Sequence, residues 1–364
     1  MRKEALSLRQ AISFMILFIV GSSVVIGGAS EAGQDSWVSF FIAAVMMIPV
    51  LLMYARIIHL FPETDLFDIL VILFGNILGK VFIALFTWYA IHLGVLVVRN
   101  FSEFVEIVAM PETPQLPIMI GMILVTAYLA RSGIETIGKW SVSVLPFILS
   151  VITLTIALSL KDMDFSNILP IMEKSPITLL KSAYHTYTFP LAETVLFLCV
   201  ASAFKKQDSP YKIYTYAILL GSLILLVVLL RNIEVLGAAM AGASYFASYT
   251  TARVIHIGDF LTRIEGSISV NFILSGITKI ALCLLAAAKG TAKLFEIQDY
   301  KRILMPVSLL ALALSSIIYD STMEMFGFLK YYQYYAIPFQ ILLPVLIWVA
   351  AEIHAKKQSA AAKA

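Results

Sequence analysis

Two charges stand where an apolar chain tolerates them least. Glu193 lies in FPLAETVLFL (189–198), three residues after Pro190, and Lys279 lies in SGITKIAL (275–282). An ionisable group deep in a hydrophobic span is costly to keep, so each is a functional candidate. Pro190 removes a backbone donor and clashes with the turn before it. Glu193 then falls in the first turn of the helix that resumes, where the local dipole favours negative charge. A structural cap, or a hydrogen bond to a neighbouring helix, would account for Glu193 as well. Lys279 reads either as a fixed charge standing where a coupling cation would sit or as an ammonium that steadies helix-end carbonyls. Another span carries Arg99 and Glu103, four apart and able to pair along one helix, with His92 two turns earlier.

The scaffold that must position these residues is membranous. Of 364 residues, 60% are hydrophobic and 13% charged, and the mean hydropathy is +0.91. A soluble chain of this length needs far more polar surface. Hydrophobic runs near the bilayer-spanning length recur almost throughout. Ten spans are expected, at about 8–29, 36–58, 80–107, 116–131, 138–160, 182–204, 212–234, 266–289, 303–320 and 333–352. With the N-terminus in the cytoplasm, seventeen of the twenty-six Lys and Arg residues fall on the side of the termini and seven on the other; Arg99 and Lys279 lie within spans. That asymmetry satisfies the positive-inside rule and puts both termini in the cytoplasm. MRKEALSLRQ leads into an uncleaved first helix rather than a signal peptide. Residues 1–355 form a single permease-like domain, followed by a polar tail (356–364). The outer stretch GDFLTRIEGSISV (258–270) is amphipathic and is expected to lie along the surface.

Two spans look interrupted. Gly21, Ser22 and Ser23 interrupt the first, and Pro190 interrupts the sixth. Each alone reads as helix packing or a simple kink. Their matching places in two sets of five point to a five-plus-five inverted repeat, with a ligand site at the midplane between the breaks. Gly27 and Gly28 read as close packing or as the fraying end of the first helix, and GQDSW (33–37) as the turn into the second. Tyr89, His92, Tyr184, Tyr187, Phe189 and Ser275 are expected to line the centre. The net charge of +3 marks topology and no nucleic-acid partner. Cys199 and Cys283 sit in apolar runs as small core residues. The five histidines never take a metal-binding spacing, and no nucleophile elbow, phosphate loop or dinucleotide fingerprint appears, so neither an enzyme nor a cofactor or metal is expected.

A series of motifs resembles the spore germination permeases, the B subunits of nutrient germinant receptors in endospore-forming bacteria, within the amino acid–polyamine–organocation superfamily. It includes GQDSWVS (33–39), YARIIHLFPETDLFDIL (54–70), RNFSEFV (99–105), RSGIETIGKWS (131–141), NILPI (167–171), FPLAETVLFL (189–198), IGDFLTRIE (257–265), TKIAL (278–282) and DYKRILMP (299–306). A proline common in the family is absent from ASYFASYTTAR (243–253). The resemblance implies a germinant pocket between the first, third, sixth, eighth and tenth helices. It places Glu193 and Lys279 at charged positions typical of the family, and Gly21, Ser22 and Ser23 at the unwound part of the first helix. It also implies assembly with an A subunit and a C-subunit lipoprotein in the spore inner membrane. On this reading a small nutrient, such as an amino acid, sets its carboxylate on free amides near Ser22 and Ser23. The rival is a proton-coupled amino acid transporter with Glu193 or His92 as proton carrier. A third reading makes the chain an ion pathway or scaffold.

Overall fold

The computed structural model describes residues 4–26, 30–254 and 265–361. Gly27, Gly28 and most of the 258–270 stretch lie outside the described residues, as does the greater part of IGDFLTRIE. Among the described residues every extended element is helical, and the only β-type contact is an isolated bridge between Leu6 and Phe204.

The helices are α1 (Leu8–Ile26), α2 (Ser36–Leu60), α3 (Leu66–Phe104), α4 (Gln115–Arg131), α5 (Ile134–Ser159), α6 (Pro176–Thr186), α7 (Pro210–Ala243), α8 (Ala247–Val254), α9 (Glu265–Leu294), α10 (Lys301–Ile317), α11 (Thr322–Ile337) and α12 (Leu343–Ala361). Among the described residues the ten expected spans overlap helix, seven stretches are long and apolar enough to cross a bilayer, and α1 and α4 are shorter apolar helices. The chain is a multi-pass membrane protein. Its outer faces repeat large apolar residues at helical spacing, as in Phe41, Val45, Ile48 and Leu52 of α2, which is the surface that lipid requires.

Local chemistry sets the ends and bends. Asp65 accepts from the Asp68 amide to start α3, Ser175 caps α6 ahead of Pro176, and Ser321 caps α11. Within α3, Gly75 has φ +72°, a left-handed turn suited to glycine, and it separates a short first helix from the span proper. At one pole Arg56 meets Glu352 (2.6 Å), Lys80 meets Glu296 (2.8 Å), Lys289 meets Asp65 (2.9 Å), Lys301 meets Glu4 (3.5 Å) and Lys293 meets Asp68. All five cations belong to the set that the charge pattern assigns to the side of the termini. Elsewhere the buried Asp35 carboxylate accepts from the Met172 and Lys174 amides (2.7 and 2.9 Å), pinning the 161–181 connection beside the start of α2.

Three features differ from the expectations. The first span is not broken at Gly21–Ser23: α1 is helical through these residues to Ile26. Small residues there make room for a neighbour rather than release the backbone. The last span is interrupted instead, by a widened π turn at Pro338–Leu342 between α11 and α12. The polar residues 356–361 continue α12 as helix.

The core is built around α1, α9 and the second half of the sixth span, whose residues are almost wholly buried. The tightest contact joins α3 to α9. A Cβ on Gly276 would run into the Phe101 ring, and one on Gly290 into Thr87 Oγ1 and the Phe67 ring. Gly276→Ala and Gly290→Ala should each destabilise by about 1–3 kcal/mol through overpacking. Gly121→Ala, on α4 with open space around it, should change stability by under about 0.5 kcal/mol. Thermal unfolding of the detergent-purified protein checks this; equal melting of all three variants would contradict the close approach.

Candidate functional site

Pro190 dictates the local structure of the site. After α6, residues Tyr187–Leu191 form a widened turn in which Phe189 is non-helical (φ −134°, ψ 111°), and the chain continues as a 3-10 helix over Ala192–Ala203. The sixth span is therefore broken where its sequence indicates. Carbonyls loosened by the break find side-chain donors. Gln340 Nε2 donates to Thr188 O (2.9 Å), Tyr54 OH lies 3.4 Å from Ala192 O, and Tyr214 OH donates to Thr194 O (3.2 Å). Tyr54 OH makes its shorter bond to Gln340 O (2.6 Å). In lipid no water could do this work, so the break persists only because protein donors reach it.

Glu193 and Lys279 meet at this break. Lys279 Nζ lies 2.5 Å from Glu193 Oε2, and both side chains are 0% exposed. Lys279 also donates to Ser22 Oγ (3.1 Å), and its ammonium sits 5.1 and 5.0 Å from the centroids of the Phe18 and Phe189 rings. Gly21 makes the approach possible: a Cβ there would stand 3.2 Å from Lys279 Cδ. One turn before Lys279, Ser275 Oγ makes its shortest bond to Asn271 O of its own helix (2.8 Å) and lies 3.1 Å from Gly21 O, where α9 meets α1. The other Glu193 oxygen accepts from Tyr332 OH (2.7 Å). Tyr332 and Tyr89 hydroxyls are 3.2 Å apart, and Gln340 Nε2 donates to Tyr89 OH (2.9 Å). Since the Tyr332 proton goes to the carboxylate, Tyr89 donates to Tyr332, and donation runs one way from Gln340 to Glu193.

Two cavities flank the pair, and Phe189 and Leu329 line both. One, of about 10 Å³, is bordered by Glu193, Tyr332, Asn100, Leu93 and Phe328. The other, of about 40 Å³, is bordered by Ser23, Thr186, His185, Asn232 and Leu229. Ser23 Oγ and Thr186 Oγ1 have no partner among the described residues.

The expected site residues thus divide. Gly21, Ser22, Ser275, Glu193 and Lys279 come together, with Tyr89 joined through Tyr332. Ser23, Phe189 and Pro190 border the larger cavity. His92 lies instead in an aromatic cluster with Trp88 and Tyr335 (centroids 5.6 and 4.8 Å). Tyr187 is buried and stacks on Tyr184 (5.9 Å). Arg99 and Glu103 do pair along α3 (2.8 Å), and they bind α10 through Ser315 O and α11 through Thr322. Sequence reasoning missed Tyr54, Tyr214, Tyr332 and Gln340. Gln340 repeats the signal that marked Glu193, a polar residue just after a proline inside an apolar span. No group of three metal-ligating side chains occurs among the described residues.

The family model for spore germination proteins matches residues 5–325. The chain belongs to the spore germination protein family. It is 26% identical to spore germination protein KB of Bacillus subtilis (strain 168) over 356 residues, covering 96% of this chain and 95% of that one. It is 27% identical over 320 residues to the putative spore germination protein YfkT of the same organism, covering 88% of this chain and 87% of that one. Among solved structures, this germination protein superposes on Mhp1, a nucleobase-cation-symport-1 family transporter in a closed conformation with bromovinylhydantoin bound. The TM-score is 0.72 at 11% identity, covering 95% of this chain and 78% of that one. It superposes also on MhsT in complex with L-phenylalanine, with TM-score 0.69 at 10% identity, covering 96% and 99%. At such identity the likeness is one of fold, a transporter-like helical bundle.

The buried pair generates a stability prediction. Removing one partner strands the other charge in a dry interior, which costs about 3–5 kcal/mol, whereas removing both is often close to neutral. Glu193→Gln and Lys279→Gln alone should each melt far below the parent protein, and the double variant should recover most of the loss. A double-mutant cycle on detergent-purified protein measures this, and strictly additive losses would contradict the pairing.

Proposed function

We propose that this chain is the nutrient-sensing membrane subunit of a spore germination receptor. A small nutrient, of the amino acid class, binds at the midplane beside the break of the sixth span and triggers germination by favouring one arrangement of the bundle. The observation that carries the reading is the fully buried Glu193–Lys279 pair, placed at a helix break and bordered by a cavity. Such a pair is a costly way to fill a core, and sites of this kind collect where ligands bind. Membership of the germination protein family supports the output, and the fold shared with a transporter holding L-phenylalanine supports the ligand class. On the same reading the ten helical stretches are ten crossings in two inverted sets of five. Both termini are cytoplasmic, the location is the spore inner membrane, and the partners are an A subunit and a C-subunit lipoprotein.

Ligand binding shifts the bundle only by as much as the ligand prefers one state over another. A sensor therefore needs no net turnover, and this separates it from the second reading, a proton-coupled amino acid transporter, which the transporter fold favours. Deleting this chain from spores should abolish germination toward one nutrient or a narrow group while leaving responses through other receptors intact. The purified chain in proteoliposomes should show no concentrative uptake of that nutrient. Unchanged germination toward every nutrient after deletion would refute the sensor, and sustained accumulation driven by a proton gradient would establish the transporter.

A further inference from the structure

The chain carries its own replica of a zwitterion at the candidate site. Glu193 and Lys279 present a carboxylate and an ammonium in contact, both fully buried. Each is held by a neutral group besides its partner, Glu193 by Tyr332 OH and Lys279 by Ser22 Oγ. The continuity of α1 removes the usual alternative for a ligand carboxylate. With Gly21–Ser23 helical, the Ser22 and Ser23 amides lie inside the helix rather than at a free end. The one full positive charge at this position is the Lys279 ammonium, and the carboxylate beside it is Glu193.

We infer that the ligand of this site is a zwitterion that exchanges with the internal pair: its ammonium takes the place of Lys279 against Glu193, and its carboxylate takes the place of Glu193 against Lys279. The inference rests on the nutrient-sensing reading above. Charge accounting favours exchange by a zwitterion over any singly charged ligand. An inserted zwitterion leaves both buried side chains compensated, whereas an amine or an acid leaves one stranded. The geometry supplies a path. Glu193 borders the small cavity shared with Asn100, Leu93 and Phe328, whose mostly apolar walls would face a ligand side chain once Phe189 moves aside. Lys279 is the partner that moves, on a flexible four-carbon stem that passes the bare Cα of Gly21. Phe189 lies under the ammonium and also lines both cavities, so its displacement frees the cation and enlarges the ligand space together.

Spores carrying this receptor as their sole nutrient receptor provide the test, with germination followed as loss of optical density. The panel is the twenty protein α-amino acids, D-glucose and adenosine. For each amino acid that triggers, it adds the matching 2-hydroxy acid, amine and amide. The expected result is a response to one or more amino acids, with each singly charged counterpart requiring at least about a hundredfold higher concentration. Two double variants, Glu193→Gln/Lys279→Gln and Glu193→Lys/Lys279→Glu, separate ligand exchange from a structural pair, with receptor abundance read by immunoblot. Where they accumulate, the neutral pair should shift the amino acid response by at least about a hundredfold and lose discrimination against the amide. The reversed pair should respond no better than the neutral one, because it presents each charge on the wrong side. An unshifted response in an abundant double variant overturns the exchange. Equal potency of amino acid and hydroxy acid also overturns it, as does a response confined to glucose or adenosine, which would direct attention to the uncharged cavity at Ser23, Thr186 and Asn232. If neither variant accumulates, the analogue series decides alone. A parent strain that answers nothing on the panel, and germinates no differently from one lacking the chain, refutes the nutrient-sensing reading itself.

Discussion

An ammonium and a carboxylate, both fully buried and in contact, stand at the centre of this bundle, and much of the surrounding sequence can be understood as accommodating them. Desolvating two charges costs several kcal/mol each, and their mutual attraction offsets this only when the remaining donors and acceptors are satisfied. Tyr332, Ser22 and the faces of Phe18 and Phe189 supply that satisfaction. Gly21 supplies the space, since any side chain there would press on the lysine stem. The small Ser275, its Oγ 3.1 Å from Gly21 O, lets α9 come close to α1 where Lys279 reaches its partners. None of these residues is intelligible alone, because each answers a demand that the pair creates.

The second constraint is the broken backbone of the sixth span. A proline in a helix buried in lipid frees carbonyls that must find donors within the protein. Here the donors come from α2, α7 and the π turn before α12, through Tyr54, Tyr214 and Gln340. Gln340 serves both constraints, because the same amide nitrogen donates to the Thr188 carbonyl and to Tyr89, whose hydroxyl leads through Tyr332 to Glu193. The interruption of the last span and the interruption of the sixth are thus one linked feature. Hydrogen bonds alone connect Glu193 to the π turn before α12, without a long path of side-chain packing.

Much of this was legible in the sequence because membranes impose few solutions. Hydropathy located the apolar helices, and the cost of a buried charge singled out Glu193 and Lys279 before any contact was known. The Pro190 break followed from backbone chemistry alone. Gly21–Ser23 misled because small residues carry two meanings in a span, a released backbone or a close approach, and only the position of Lys279 distinguishes them. His92 was placed near the ligand by depth, yet depth does not fix azimuth, and its face of α3 turns toward Trp88 and Tyr335. Tyr54, Tyr214 and Tyr332 escaped notice because an apolar ring reads as packing; the hydroxyl of Tyr332 gains meaning only from the carboxylate beside it.

The uninterrupted first helix has a further consequence for how such a bundle could signal. In a site built from free helix ends, the empty state leaves backbone groups unsatisfied, and the ligand completes them. In this bundle each charge of the buried pair has its counter-charge, while Ser23 Oγ and Thr186 Oγ1 at the larger cavity have no partner among the described residues. On the exchange inferred above, a ligand competes with the internal pair by offering the same charges in a different place. On that reading the ligand adds its body, which packs against the walls of the small cavity beside Glu193, and it requires the displacement of Phe189 and Lys279 that makes room for it. The free energy available to shift the bundle is the difference between those two contributions. Entry on that reading requires separating a buried ion pair, a cost that a zwitterion offsets with both of its charges and a singly charged molecule offsets with only one.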